Sequence, residues 1–87
     1  MTKAALNMAD GVRRFGRATP GAVAVREGDR ELTFAALDER SNRLATALLG
    51  RGLRPGEPVA VLSTNTMEFF EIATALAKAG LPMVPLN

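Results

Sequence analysis

Residues Pro58 to Asn87 read PVAVLSTNTMEFFEIATALAKAGLPMVPLN, a strand, a helix and a second strand around which the rest of the chain is arranged. Val59-Ala60-Val61-Leu62 is an unbroken apolar run between Pro58 and the polar cluster Ser63-Thr64-Asn65-Thr66, which predicts a strand buried on both faces. Asn65 is the expected N-cap of the following helix, its side-chain oxygen facing N–H groups that have no partner in the first turn. Glu68, three residues on, supplies a capping-box pattern. Glu71 near the start and Lys78 near the end both suit the helix dipole. Phe69, Ile72, Ala73, Leu76 and Ala77 recur at helical spacing, widened by Met67 and Phe70, so the helix is expected to be covered on most sides, with Phe69 against the sheet. Gly80 closes it and Pro82 blocks its continuation. Met83-Val84-Pro85-Leu86 then begins a second strand, expected to pair in parallel with the first through a right-handed crossover.

The bulk numbers bound what such a unit belongs to. With 87 residues the chain holds one domain at most, and a domain of that size buries a smaller fraction of its surface than a large one, so its independent stability is marginal. An apolar fraction of 47% argues against disorder, and no run approaches the roughly 20 apolar residues of a membrane span. The net charge of +2 comes from eleven bases and nine acids scattered without blocks, a pattern that does not indicate nucleic-acid binding. Cysteine and histidine are absent, which removes disulfides, thiolate nucleophiles, the usual zinc ligands and the commonest neutral-pH base. Lys3 is followed by six residues before Asp10, too few for the core of a secretory signal, so the expected compartment is the cytoplasm.

Upstream, Ala5, Met8, Ala9, Val12 and Phe15 repeat at helical spacing and predict a first helix ending near Gly16 or Ala18. Its arginines, Arg13, Arg14 and Arg17, read as a solvated face. Ala22 to Arg26, the turn Gly28-Asp29 and Glu31 to Phe34 predict a hairpin. Thr33 can cap a second helix that begins at Phe34 or Ala35. Leu37, Ser41, Leu44, Ala45 and Leu48 share one of its faces, while Asp38, Glu39, Arg40 and Arg43 are expected to point largely outward.

Two stretches invite a ligand. Gly50-Arg51-Gly52-Leu53-Arg54-Pro55-Gly56 is rich in glycine and arginine, but it follows a helix and precedes a strand. A phosphate loop needs the opposite order, so that backbone N–H groups and a helix N-terminus meet the anion. It reads as a helix stop and a turn. Ser63-Thr64-Asn65-Thr66 lies where a parallel strand meets a helix, the usual ligand position in open α/β sheets, although such residues also serve simply as caps. The acids Asp38 and Glu39 are adjacent on a helix and make a poor acid/base pair.

In order, these residues resemble the AMP-forming adenylate-forming enzymes: acyl-CoA synthetases, non-ribosomal adenylation domains and luciferases. Leu32-Thr33-Phe34-Ala35-Ala36-Leu37 is similar to that family's first core motif, with Phe34 where a Tyr is usual and Ala36 where Glu is frequent. Leu76 to Asn87 is similar to the second motif. Between them Asn42-Arg43-Leu44-Ala45, the Gly52 to Gly56 turn, Val59 to Leu62, and Asn65 with Glu68 and Phe69 occur in matching order. Asn87 after Pro85-Leu86, rather than an acid, looks more like the acyl-CoA synthetases.

The resemblance implies attack of a carboxylate on the α-phosphate of ATP, loss of pyrophosphate and transfer of the acyl group to the thiol of CoA. Such chemistry needs Mg2+ and cationic or N–H donors around the phosphates. The family's phosphate loop, adenine and ribose contacts and catalytic lysine lie beyond its second motif. No catalytic or metal-binding residue is therefore expected within the 87, cofactor-binding residues stay unassigned, and Lys78 belongs to the second motif rather than to catalysis.

The fold expected is α/β, a partial domain over 1–87 with an N-terminal helix, a β-hairpin, a second helix and a parallel β-α-β unit. The function expected is that of the N-terminal fragment of a cytoplasmic ATP-dependent acyl-CoA synthetase, inactive alone. Its partners are a small-molecule carboxylic acid, through the parent enzyme, and the remainder of its own domain. A short binding module on the same scaffold is the alternative, and it calls for a blunted sheet edge near Leu86. An independent mononucleotide-binding unit would want glycines after Leu62, where Ser63-Thr64-Asn65 stands.

Overall fold

A computed structural model describes residues 3–62 and 66–86. Its elements are α1 (Lys3–Ala18), β1 (Val23–Glu27), β2 (Arg30–Thr33), α2 (Phe34–Gly50), β3 (Val59–Leu62), α3 (Met67–Ala79) and β4 (Met83–Leu86). The order is the one expected: a helix, an antiparallel hairpin, a helix, then β3 and β4 paired in parallel across α3.

Local chemistry sets the boundaries. Gly28, at φ +60, takes the first position of the two-residue hairpin turn, where a side chain would be strained. The strands lie one residue off the expected spans because Phe34 starts α2 instead of ending β2. Thr33 caps α2 as its sequence suggests, its Oγ1 accepting from the Ala36 N–H at 3.2 Å. Gly80 closes α3 in the left-handed region at φ +73, and the N–H groups of Gly80 and Leu81 reach back to Ala77 O and Leu76 O.

Two apolar clusters hold the elements together. One gathers Ala45 of α2, Val61 of β3, Ala75, Leu76 and Ala79 of α3, and Leu81. The other joins Val12 of α1, Leu32 of β2, Leu37 of α2 and Met67 of α3. Ala73, Thr74, Ala75 and Leu76 are four consecutive buried residues, and the three steps of about 100° between them sweep most of the way round a helix. α3 is thus covered on most sides, as expected.

Its rotation differs from the expected one. Phe69 is half-buried and stacks edge-on against Phe70, whose ring is exposed, with centroids 5.8 Å apart. The small residues Ala75 and Ala79 are buried instead, in the cluster with Ala45 of α2 and Val61 of β3. On α1, Ala9 and Val12 are buried, whereas Met8 and Phe15 lie at the margin, Phe15 with its ring 5.2 Å from that of Phe34.

β3 also departs from expectation. Its burial alternates, with Val61 buried, Ala60 exposed and Leu62 78% exposed, so one face of the strand is packed and the other open. The apolar run anticipates two covering layers, and among the described residues one is present.

Candidate functional site

At the carboxyl end of β3 the sequence places Ser63-Thr64-Asn65-Thr66. Ser63, Thr64 and Asn65, with the expected Asn65 cap, lie outside the described residues. Thr66 occupies the N-cap, its Oγ1 accepting from the Phe69 N–H at 3.3 Å. With the cap at Thr66 the third helical residue is Phe69, so Glu68 is out of capping-box register. Glu68 instead accepts from the Arg30 guanidinium at 2.5 Å, joining α3 to the hairpin. That hydrogen bond, and the charge behind it, lowers the Glu68 pKa and raises that of Arg30.

Several other charges are similarly engaged. Arg30 also reaches Glu27 at 3.2 Å, Arg40 Nε donates to Glu71 at 2.6 Å, Arg26 pairs with Glu31, and Arg43 with Glu39. Arg13 meets Asp10 at 3.5 Å, while Arg14 and Arg17 are exposed on the same helix, a solvated face as expected.

Lys78 is the exception to surface pairing. Its side chain is 2% exposed, and Nζ donates to Asp38 Oδ1 at 2.5 Å, Asp38 O at 3.0 Å and Asn42 Oδ1 at 2.8 Å. All three ammonium donors are satisfied within the protein. Asp38 therefore turns inward, contrary to expectation, because a buried ammonium needs a counter-ion and α2 packs against α3 at that turn. Sequence reasoning missed this pairing of the two motif helices. The available signal was Asp38 and Asn42, one helical turn apart beside the buried Ser41 and Ala45.

The glycine-rich loop between α2 and β3 satisfies its own backbone. Arg51 N–H bonds to Ala47 O and Leu48 O, Gly52 N–H to Leu49 O, Arg54 N–H to Glu57 Oε1 at 2.9 Å, and Gly56 N–H to Gly80 O at 2.8 Å. Those donors are turned to the protein and do not converge on an anion, which accords with the turn reading.

A separate recess of 290 Å³, lined by Met8, Phe69, Ala73, Leu76, Ala77 and Leu81 to Met83, offers apolar contact and no charged group. Among the described residues no three His, Cys, Asp or Glu side chains gather to hold a metal ion, and no helix is long and apolar enough to cross a membrane. Five arginines are paired to carboxylates and the Lys78 side chain is buried, and no chemical step is assigned to the described residues.

What the scaffold is follows from its likenesses. The family model for AMP-binding enzyme matches residues 12–87. A feruloyl-CoA synthase from Amycolatopsis sp is 46% identical over 74 residues, covering 85% of this chain and 15% of that protein. Phosphinothricin tripeptide synthetase PhsC of Streptomyces viridochromogenes is 42% identical over 71 residues, covering 82% of this chain and 6% of that protein. A Rhodopseudomonas palustris protein described as a long-chain-fatty-acid CoA ligase superposes with a TM-score of 0.87 at 35% identity, over 92% of this chain and 20% of that one. The chain thus spans a small share of each relative, while most of its own length superposes on the Rhodopseudomonas palustris structure. Matched over most of its length by the family model, by ligases and by a synthetase, the chain belongs to the AMP-binding enzyme family of adenylate-forming ligases.

Proposed function

We propose that residues 1–87 form the N-terminal part of the AMP-binding domain of a cytoplasmic ATP-dependent acyl-CoA synthetase, and that they are inactive by themselves. The whole enzyme joins a small carboxylic acid to the α-phosphate of ATP, releasing pyrophosphate, and passes the acyl group from the adenylate to the CoA thiol with release of AMP. ATP, Mg2+ and CoA are bound by parts of that enzyme outside these residues. The observation that carries this reading is the 46% identity to a feruloyl-CoA synthase over 74 residues and 15% of that protein's length, with the family model matching residues 12–87, which include both motifs. The open apolar face of β3 and β4 supports it, since a continuous domain would supply the second covering layer.

The role of these residues is then architectural. Lys78 ties the helix of the second motif to the helix of the first, and Thr33, Thr66 and Gly80 end the elements so that the sheet meets the rest of the domain in fixed geometry. Calorimetric titration of the 87-residue chain with magnesium-ATP tests the inactivity. The expected outcome is no saturable binding in the micromolar range. Saturable binding that is lost on replacing Asn65 and Thr66 would overturn it and make the β3-to-α3 loop a nucleotide site. The assignment to a larger domain is tested by the reading frame after the codon for Asn87. The expected continuation is a Ser/Thr/Gly-rich segment with a lysine near its end, glycines letting backbone N–H groups close on phosphates and the lysine adding fixed charge.

A further inference from the structure

α1 meets α2 beside the Lys78–Asp38 pair, and it does so through a glycine. A methyl group added at Gly16 would stand 3.2 Å from Asp38 Cβ, 3.3 Å from its Oδ2 and 3.4 Å from its Cγ, at the tight limit of van der Waals contact. The carboxylate is thus held from two directions. Its Oδ1 accepts from the Lys78 ammonium at 2.5 Å, and its Oδ2 lies against the bare backbone of α1. A methyl group at Gly11, on the same helix, would meet nothing within 4 Å. Both glycines stand inside α1, where glycine weakens a helix relative to alanine. Among the described side chains of α1, Ala9 and Val12 are buried, whereas Met8 and Phe15 are exposed. α1 is therefore weak in itself and lightly anchored, and such elements open locally before the rest of a fold.

We propose that α1 is a strap that gates Lys78 through Gly16 and Asp38. When the strap is docked, the Gly16 backbone backs the Asp38 carboxylate and keeps it on the buried ammonium. When the strap leaves, the carboxylate is free to turn to water, and Lys78 loses the counter-ion that a buried charge needs. The junction of α2 and α3 around Lys78 then takes up water. Gly16 touches Lys78 only by way of Asp38, so it is a positioning residue for the pair, and its missing side chain is what permits the approach of α1. The contacts involved run among α1, α2 and α3. The inference goes beyond the ligase reading and does not rest on it.

The test is the rate at which acetic anhydride acylates Lys78 at fixed pH under native conditions, read by mass spectrometry of the peptide that contains it. The protein is used at the full length of its reading frame. Gly16→Ala pushes α1 off the carboxylate and is expected to raise the rate several-fold. Gly11→Ala strengthens the strap without touching Asp38, and is expected to lower it. The same substitution at two positions of one helix thus acts in opposite directions. Val61→Ala, in the other apolar cluster, weakens the fold as a whole and is expected to leave the rate unchanged. An unchanged rate in either glycine variant overturns the proposal. A rise in Val61→Ala that matches the rise in Gly16→Ala also overturns it, because Lys78 is then reached by global unfolding. Should Gly16→Ala fail to fold, Gly11→Ala decides alone, a slower rate upholding the strap.

Discussion

The Lys78 ammonium and the Asp38 carboxylate meet at 2.5 Å between α3 and α2, with the lysine side chain 2% and the aspartate 24% exposed. Breaking such a pair from one side leaves the other charge without compensation, which typically costs about 3–5 kcal/mol, whereas replacing both partners by apolar residues is often close to neutral. The two ends should therefore differ. Asp38→Leu strands an ammonium that has almost no access to water, and should cost more than Lys78→Met, which leaves a carboxylate with some water at hand. Urea unfolding of the two single variants and the double variant checks this. A double variant less stable than Asp38→Leu would contradict the account.

The rotation of α3 gives a second comparison. Leu76 is 1% exposed in the larger apolar cluster, while Phe69 lines an open recess. Leu76→Ala should cost about 2–5 kcal/mol, the range for a fully buried leucine. Phe69→Ala should cost roughly half as much despite the larger side chain, since part of the ring is already in water. The reverse order in chemical denaturation would mean that Phe69 is the buried anchor which helical spacing suggests.

Much of the fold was legible because the signals were local. Thr33 as a cap, Gly80 as a left-handed stop, Gly28-Asp29 as a hairpin turn and the apolar runs of β3 and β4 each follow from the conformational preferences of one or two residues. What escaped was tertiary. Helical spacing could not show that Ala75 is fully buried while Phe69 is only half-buried, nor that Asp38 turns toward a lysine 40 residues away. A run such as VAVL is equally apolar whether one face or both are covered, so the open side of β3 was invisible. At the candidate loop Thr66 takes the cap, and Ser, Thr and Asn serve that position about equally well, so a sequence that holds several in a row does not choose among them.

Gly80 couples backbone conformation to packing. Its φ of +73 is in the left-handed region, and a Cβ built there would lie 3.5 Å from Pro55 Cβ, ordinary contact and not a clash. The cost of Gly80→Ala is therefore conformational, about 1–2 kcal/mol. Gly80→Asn should cost less, since Asn tolerates this region better. Thermal or urea unfolding that shows alanine and asparagine to be equally tolerated would place the constraint elsewhere, for example in the hydrogen bond from Gly56 N–H to Gly80 O.

The Arg30–Glu68 pair carries a pH dependence whose sign is determined by the direction of the shift. Hydrogen bonding from Arg30 lowers the Glu68 pKa below its ordinary value of 4.5, so the folded state binds this proton less readily than the unfolded chain. The contribution is fully present above 4.5 and is lost as pH falls through the depressed folded value. The pKa of Arg30 is raised in turn, so its contribution fades only in strongly alkaline solution, where proteins are seldom stable enough to measure. Both side chains are about half exposed, so the effect is small and weakens further in 1 M salt, where the screening length falls to about 3 Å. Glu68→Gln should therefore leave a stability curve that declines less steeply below pH 4.5 in low salt, and the difference from the parent should shrink in high salt. Parallel curves for the two proteins in low salt would show that the pair across the hairpin and α3 does not persist in solution.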